Sequence, residues 1–97
     1  MKKVWSDNAW ADYEYWFTQN NKPILKRIHA LIKDIDRNGY KGIGKPEPLK
    51  HNWTGYWSRR ITDEHRIVYK ITDDAILIAS TRYHYPKIEA LRRKSRG

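Results

Sequence analysis

Tyr56-Trp57-Ser58-Arg59-Arg60-Ile61-Thr62-Asp63-Glu64-His65-Arg66-Ile67-Val68-Tyr69-Lys70-Ile71-Thr72-Asp73-Asp74-Ala75-Ile76-Leu77-Ile78-Ala79 is the stretch whose reading decides the fold. Two strand-like segments, Tyr56–Ile61 and Arg66–Ile71, flank polar Thr62-Asp63-Glu64, and Thr72-Asp73-Asp74 makes the next turn. Ala75–Ala79 is continuously apolar, as expected of a strand buried on both faces inside a sheet. It extends through Ser80 to about Tyr85, where Pro86 ends pairing. The three segments predict an antiparallel meander.

Upstream, Val4-Trp5 reads as a short first strand. Ser6 is a suitable N-cap, Asp7 places negative charge in the first turn, and Ala9, Trp10, Tyr13, Trp16 and Phe17 recur at helical spacing. A helix is expected from Asp7 to about Gln19. Asn21 caps a second one, with Pro23 in its first turn; Ile24, Ile28, Leu31 and Ile35 form its stripe, and Asn38-Gly39 stops it. Between Gly39 and Pro48, glycines and prolines exclude a helix or central strand, and the two prolines push Lys45 and Glu47 toward extended backbone. The order is β-α-α-β-β-β. This is an α+β domain, its antiparallel sheet backed by two N-terminal helices.

Ninety-seven residues suffice for one modest core. The net charge of +9 points to an acidic partner: RNA, DNA, an anionic membrane or an acidic protein. That charge is uneven, with a net of +2 in residues 1–40 and +7 in residues 41–97, so the meander half carries it. Five Trp and seven Tyr against one Phe supply flat faces with polar edges, suited to stacking on bases as well as to a core. There is no cysteine, so disulfide and thiol chemistry are excluded. No apolar run approaches the length of a membrane span, and Met1–Trp5 lacks the apolar stretch of a signal peptide. A cytoplasmic protein without a membrane partner is the expectation.

Strand parity tests whether the charged residues converge. If Thr62–Glu64 is a three-residue turn, Arg60 lies opposite Arg66 and both point to one face. If Thr72–Asp74 is also a three-residue turn, Arg66 lies opposite Ser80, so Arg82 and His84 join that face. Ile67, Tyr69, Leu77 and Ala79 then share the other. A two-residue turn at either place breaks the grouping.

Granting convergence, residue type suggests cleavage of a phosphodiester. RNA carries its own nucleophile, the 2′-OH; the reaction needs a base, an acid for the departing oxygen, and cations on the phosphorane. Glu47 offers the base and His84 the acid. Arg66 and Arg60 offer fork-shaped donors and Lys50 a point charge, with no metal or other cofactor required. Each has a plainer reading. Glu47 between prolines fits a solvated loop acid, Arg59, Arg60 and Arg66 fit charges that discourage edge pairing, and His84 fits a surface histidine. His29 reads as structural or solvent-facing. His51 and His65 with His84 lack metal-ligand spacing. A non-catalytic basic RNA-binding module uses the same face, but gains little from Glu47. A DNA-binding regulator is disfavoured because no helix carries a Lys/Arg recognition pattern.

The runs Lys45-Pro46-Glu47-Pro48-Leu49-Lys50-His51, Gly55–Thr62, Glu64–Tyr69 and Arg82-Tyr83-His84-Tyr85, together with Val4-Trp5-Ser6, Trp10, Asp12-Tyr13 and Tyr15-Trp16, closely resemble the YoeB/Txe family of toxin–antitoxin toxins. The resemblance spans Met1 to Tyr85. It implies a RelE-like microbial ribonuclease fold and an mRNA interferase, an endoribonuclease that enters the ribosomal A site, cuts mRNA there and arrests translation. It implies catalytic roles for Glu47 as base, Arg66, and His84 as acid, leaving a 2′,3′-cyclic phosphate and a 5′-hydroxyl. Lys50, Arg60 and Tyr85 assist; Arg59 stands beside Arg60 as a further candidate for substrate contact. The implied partners are mRNA and ribosomal RNA, an acidic YefM-like antitoxin and a second copy in a homodimer, with no direct binding of DNA. The family pattern closes at or just after its His-Tyr pair, whereas this chain continues. Residues 1–85 are therefore expected to form the ribonuclease domain and residues 86–97 a basic extension.

Overall fold

The computed structural model describes residues 1–83. His84, Tyr85 and the 86–97 extension lie outside the described residues. The elements are β1 (Lys2–Trp5), α1 (Asp7–Thr18), α2 (Lys22–Asn38), β2 (Glu47–Pro48), a single 3-10 turn (His51–Trp53), β3 (Trp57–Arg60), β4 (Arg66–Ile71) and β5 (Ala75–Ser80). They form a five-stranded sheet in the order β1-β5-β4-β3-β2. The α+β class and the antiparallel meander are as expected. Two details were not legible: β1 pairs with β5 in parallel, making the sheet mixed, and the proline segment supplies an edge strand, β2, against β3.

Local chemistry sets the helix ends. Ser6 Oγ accepts the Ala9 N–H at 3.0 Å, and Asn21 Oδ1 accepts that of Ile24 at 3.2 Å, satisfying amides that the first turns leave without partners. Gly39, with φ +67°, ends α2 and donates to the Ile35 carbonyl. Both helices lie on one face of the sheet. Ile28, Leu31, Ile32 and Ile35 of α2 and Ala9 and Trp16 of α1 close over Ile61, Ile67, Tyr69, Ile76 and Ile78. Each fully buried aliphatic side chain contributes about 1.5–3 kcal/mol. Trp10 and Phe17, expected on the apolar stripe of α1, are instead 48% and 69% exposed. Two helices cover the sheet with one side each, and the stripe of α1 is wider than the side it buries.

A smaller cluster lies on the opposite, helix-free face, where Trp53, Val68 and Ala79 pack with Leu49, Tyr56 and Tyr83. It forms the floor beneath the charged residues of that face.

The first meander turn is as expected. Arg60 lies opposite Arg66, and the Thr62–Glu64 loop is closed by Ile61 N–H to His65 O at 2.9 Å and capped by Thr62 Oγ1, which accepts the Glu64 and His65 amides. The second is a correction. Thr72 N–H donates to Ala75 O at 2.8 Å and Thr72 Oγ1 accepts the Ala75 N–H at 3.1 Å, so Thr72 pairs with Ala75 and the loop shrinks to Asp73-Asp74. Parity therefore flips. Tyr69 lies opposite Ile78 and Lys70 opposite Leu77, placing Leu77 and Ala79 on the helix-free face rather than with Ile67 and Tyr69. A bulge at Val68/Tyr69 sets Ser80 against Val68, not Arg66. The Ser80 hydroxyl turns to Asp12 of α1 at 3.1 Å, and the Arg82 guanidinium lies over the Tyr15 ring, 3.6 Å from its centroid.

Candidate active site

The loop between α2 and β2 is built on one buried cation. Arg59 is fully buried and points toward the helices. Its Nη1 meets Asp34 Oδ2 at 2.5 Å and Ile43 O at 3.1 Å; Nη2 donates to Gly39 O at 2.8 Å and Lys41 O at 2.7 Å; Nε donates to the Tyr69 hydroxyl at 3.0 Å. All five donors of the fork are used. The expectation that Arg59 contacts substrate is thereby corrected: it alternates with Arg60 along β3 and falls on the opposite face, where its donors fold the loop around itself. The hydrogen bond from Arg59 is the largest influence holding the Asp34 carboxyl below its ordinary pKa; the Ile43 N–H and the Asn38 amide add to it. Burial raises the pKa of Tyr69, and the bond from Arg59 opposes that rise.

Gly44 lets the loop leave this anchor. It has φ +82°, and a Cβ there would lie 2.8 Å from Leu31 Cδ2 and 3.3 Å from Arg60 O. Its carbonyl accepts the Arg60 N–H at 2.7 Å. Lys45 follows at φ +52°, not extended as the prolines suggested, because the chain must turn sharply from that bond to enter β2. Glu47 then pairs with Ser58 on β3.

From this register the site assembles. Opposed residues of paired strands share a face, so Glu47, Ser58, Arg60, Arg66 and Val68 all point to the helix-free side. Arg66 Nη1 donates to the carbonyls of Thr62, Asp63 and His65 at 2.7–3.1 Å, fixing the guanidinium over the first meander turn. Among the described residues nothing else bonds it, which leaves Nε and Nη2 as donors. Burial, then the neighbouring Arg60 cation, lower the Arg66 pKa, while Asp63 and Glu47 raise it, so these three charges all lie close enough to act on Arg66. The group stays a cation at any physiological pH. Among the described residues the Glu47 carboxylate and the Arg60 guanidinium make no side-chain hydrogen bond or ion pair, and Glu47 is exposed. Lys50, also exposed, heads the 3-10 turn whose Trp53 joins the floor.

Sequence reasoning weighed His65 only as a metal ligand and gave it no other part in the site. Its Nδ1 accepts the Tyr83 N–H at 2.8 Å, and its ring meets the edge of Trp16 with centroids 4.7 Å apart. Its place in the His65-Arg66 pair, where alternation sends the two side chains to opposite faces, was the available signal. Among the described residues no three His, Asp or Glu side chains are grouped to hold a metal ion. No helix there is long and apolar enough to cross a membrane.

A domain of two helices on a five-stranded mixed sheet is the architecture of the small RelE-like toxins. The sequence model of the YoeB-like toxins of bacterial type II toxin–antitoxin systems matches residues 5–85, and this chain belongs to that family. It is 59% identical to Toxin YoeB of Escherichia coli K12 over 85 residues, covering 88% of this chain and all of the relative. Among solved structures, the YoeB dimer of Staphylococcus aureus superposes with a TM-score of 0.81 at 53% identity, and the YoeB–YefM complex from the same organism with 0.80 at 55%; each comparison covers 88% of this chain and 98% of the other.

Proposed function

We propose that the chain is a ribosome-dependent mRNA endoribonuclease, cutting mRNA in the ribosomal A site by attack of the 2′-OH on the adjacent phosphodiester. The observation that carries this reading is an exposed carboxylate, Glu47, on the same face as Arg60 and Arg66. A face made for phosphate binding alone gains nothing from an acid that repels phosphate, which disfavours a non-catalytic RNA-binding module. In the proposed reaction Glu47 takes the 2′-OH proton. Arg66, through Nε and Nη2, and Arg60 stabilise the charge that builds on the phosphorane oxygens, with Lys50 as a further cation. His84 protonates the departing 5′-oxygen, and Tyr85 assists. The products are a 2′,3′-cyclic phosphate and a 5′-hydroxyl. With acid, base and nucleophile supplied by protein and substrate, no metal is required. Residues 1–85 make the ribonuclease domain, and 86–97 extend it.

The Staphylococcus complex supports a YefM-like antitoxin as partner, and the YoeB dimer supports self-association. A net charge of +9 favours an acidic antitoxin. The groove along α2, with Leu25 and Ala30 between Lys22, Lys26 and Lys33, offers it an apolar floor with cationic rims. The site of action is the cytoplasm.

The test is mRNA cleavage on programmed ribosomes with a 2′-deoxynucleotide at the scissile position, beside Glu47→Ala and an EDTA control. Cleavage should stop with the deoxy substrate and with Glu47→Ala, and persist in EDTA. A deoxy substrate still cut, or Glu47→Ala cutting at the wild-type rate, would sink the proposal.

A further inference from the structure

We propose that His65 is a positioning residue for this reaction, acting through the backbone of Tyr83, the residue immediately before His84. The inference rests on the ribonuclease reading. Tyr83 is tied at both ends: its N–H donates to His65 Nδ1 at 2.8 Å, and its carbonyl accepts the Arg66 N–H at 2.9 Å. Its φ is +63°, a left-handed conformation that a bulky aromatic residue adopts only where its surroundings over-determine it. The two hydrogen bonds supply that determination. The dipeptide that presents the Arg66 guanidinium to the open face thus also fixes the backbone of Tyr83, the sequence neighbour of His84.

The imidazole is itself held. Its edge contact with Trp16 is anchored because Trp16 Nε1 donates to Thr81 O at 2.8 Å, two residues before the clamp. A backbone N–H can only donate, so Nδ1 accepts and the ring proton of the neutral imidazole sits on Nε2. Nε2 faces Glu64 Oε2 at 3.8 Å. The Tyr83 ring packs into the Trp53–Val68–Ala79 floor. Removing the acceptor while keeping the ring therefore frees the Tyr83 amide without emptying the space under α1.

The experiment uses full-length protein in three forms, His65→Phe, His65→Asn and wild type, with Glu47→Gln as control. Phe keeps a ring against Trp16 but no acceptor; the Asn side-chain oxygen falls near the place of Nδ1. On programmed ribosomes, His65→Phe should lose about 10- to 100-fold in kcat with KM little changed, the range expected when a reacting group is misplaced by about an ångström. His65→Asn should recover most of that loss, which a purely structural role of the ring would not permit. In uniformly 15N-labelled protein, a through-hydrogen-bond coupling should link the Tyr83 amide to His65 Nδ1 and vanish in His65→Phe. Full-speed cleavage by a folded His65→Phe, equal losses in Phe and Asn, or no coupling in wild type would each overturn the proposal. The control separates the two levels. An active Glu47→Gln brings down the ribonuclease chemistry and this inference with it, whereas an inert Glu47→Gln beside a full-speed His65→Phe brings down only the role of His65.

Discussion

Arg59 Nη1 meets Asp34 Oδ2 at 2.5 Å, joining the interior of the sheet to the C-terminal half of α2 across the loop that delivers Glu47. The pair is asymmetric: the Arg59 side chain is fully buried, while that of Asp34 retains 18% exposure. Asp34→Ala leaves a guanidinium without a counter-charge in a place water does not reach. Breaking a buried pair in this way costs about 3–5 kcal/mol. Arg59→Leu strips three loop carbonyls and the Tyr69 hydroxyl of their donor as well, so its loss should be at least as large. Urea denaturation followed by tryptophan fluorescence measures both. A loss under about 1 kcal/mol for either variant, the value of an exposed pair, would mean that the cation does not hold the loop.

The same pair predicts an acid limb in the stability curve. Asp34 has a folded-state pKa below its ordinary value of 3.8, chiefly because of the hydrogen bond from Arg59. At pH values between the two, the unfolded chain binds more protons at this site than the folded one, so stability rises with pH there. The contribution is fully present above the unfolded pKa and is lost as pH falls through the depressed one. Asp34→Asn, less stable at neutral pH, should show a flatter decline than wild type below about pH 4. The urea midpoint recorded from pH 6 down to pH 2.5 gives the answer. Parallel curves for the two proteins would mean that the pKa of Asp34 is not depressed.

Arg66 divides its fork between structure and the open face. Nη1 is spent on three carbonyls of its own turn, which leaves Nε and Nη2 as the remaining donors. A lysine has one head to perform both tasks. Arg66→Lys should therefore keep the fold, since the strand pairing is made by backbone, yet lose about 100- to 1,000-fold in cleavage. Single-turnover rates on programmed ribosomes, beside an unchanged urea midpoint, test this. Wild-type rates for Arg66→Lys would show that a point charge suffices.

The pattern of charged and apolar residues carried the helices, the meander and the first turn because those depend on local signals: Ser6 and Asn21 as caps, Gly39 as a stop, alternation along Arg66–Ile71. It missed what depends on one hydrogen bond or one residue of register. Thr72 closing on Ala75 through its hydroxyl converted a three-residue turn into two and moved Leu77 and Ala79 across the sheet. Arg59 and Arg60, adjacent and alike in sequence, differ completely in role because neighbours on a strand face opposite ways. Only the paired register, with Asp34 waiting on one side, decides which of the two is buried. The pairing of Arg60 with Arg66 was legible because the first turn alone sets one against the other, whereas Glu47 joins them through the β2–β3 register, which the residue pattern did not show. The expectations for His84 and Tyr85 lie beyond the described residues.

Gly44 tests whether loop and site are coupled. A methyl group there would lie 2.8 Å from Leu31 Cδ2 and 3.2 Å from Arg59 Cβ, at a φ of +82° that disfavours any side chain. Gly44→Ala should cost about 1–3 kcal/mol through overpacking and strain. The backbone can relieve the contacts only by moving the segment that runs through Lys45 and Pro46 into Glu47. Activity should then fall further than stability explains. The comparison is Ile28→Val, a cavity in the same core but away from the loop, expected to cost about 0.5–1.5 kcal/mol. At a temperature where both variants remain folded, Gly44→Ala should cut at least ten times more slowly than Ile28→Val, a misplacement effect of the size expected for a displaced base. Adding Leu31→Val to Gly44→Ala should return part of the stability by relieving one contact, but little activity, because the left-handed φ and the Arg60 carbonyl still push the loop outward. Equal cleavage by Gly44→Ala and Ile28→Val would show that Glu47 keeps its place without the close packing of Gly44 on Leu31 and Arg59.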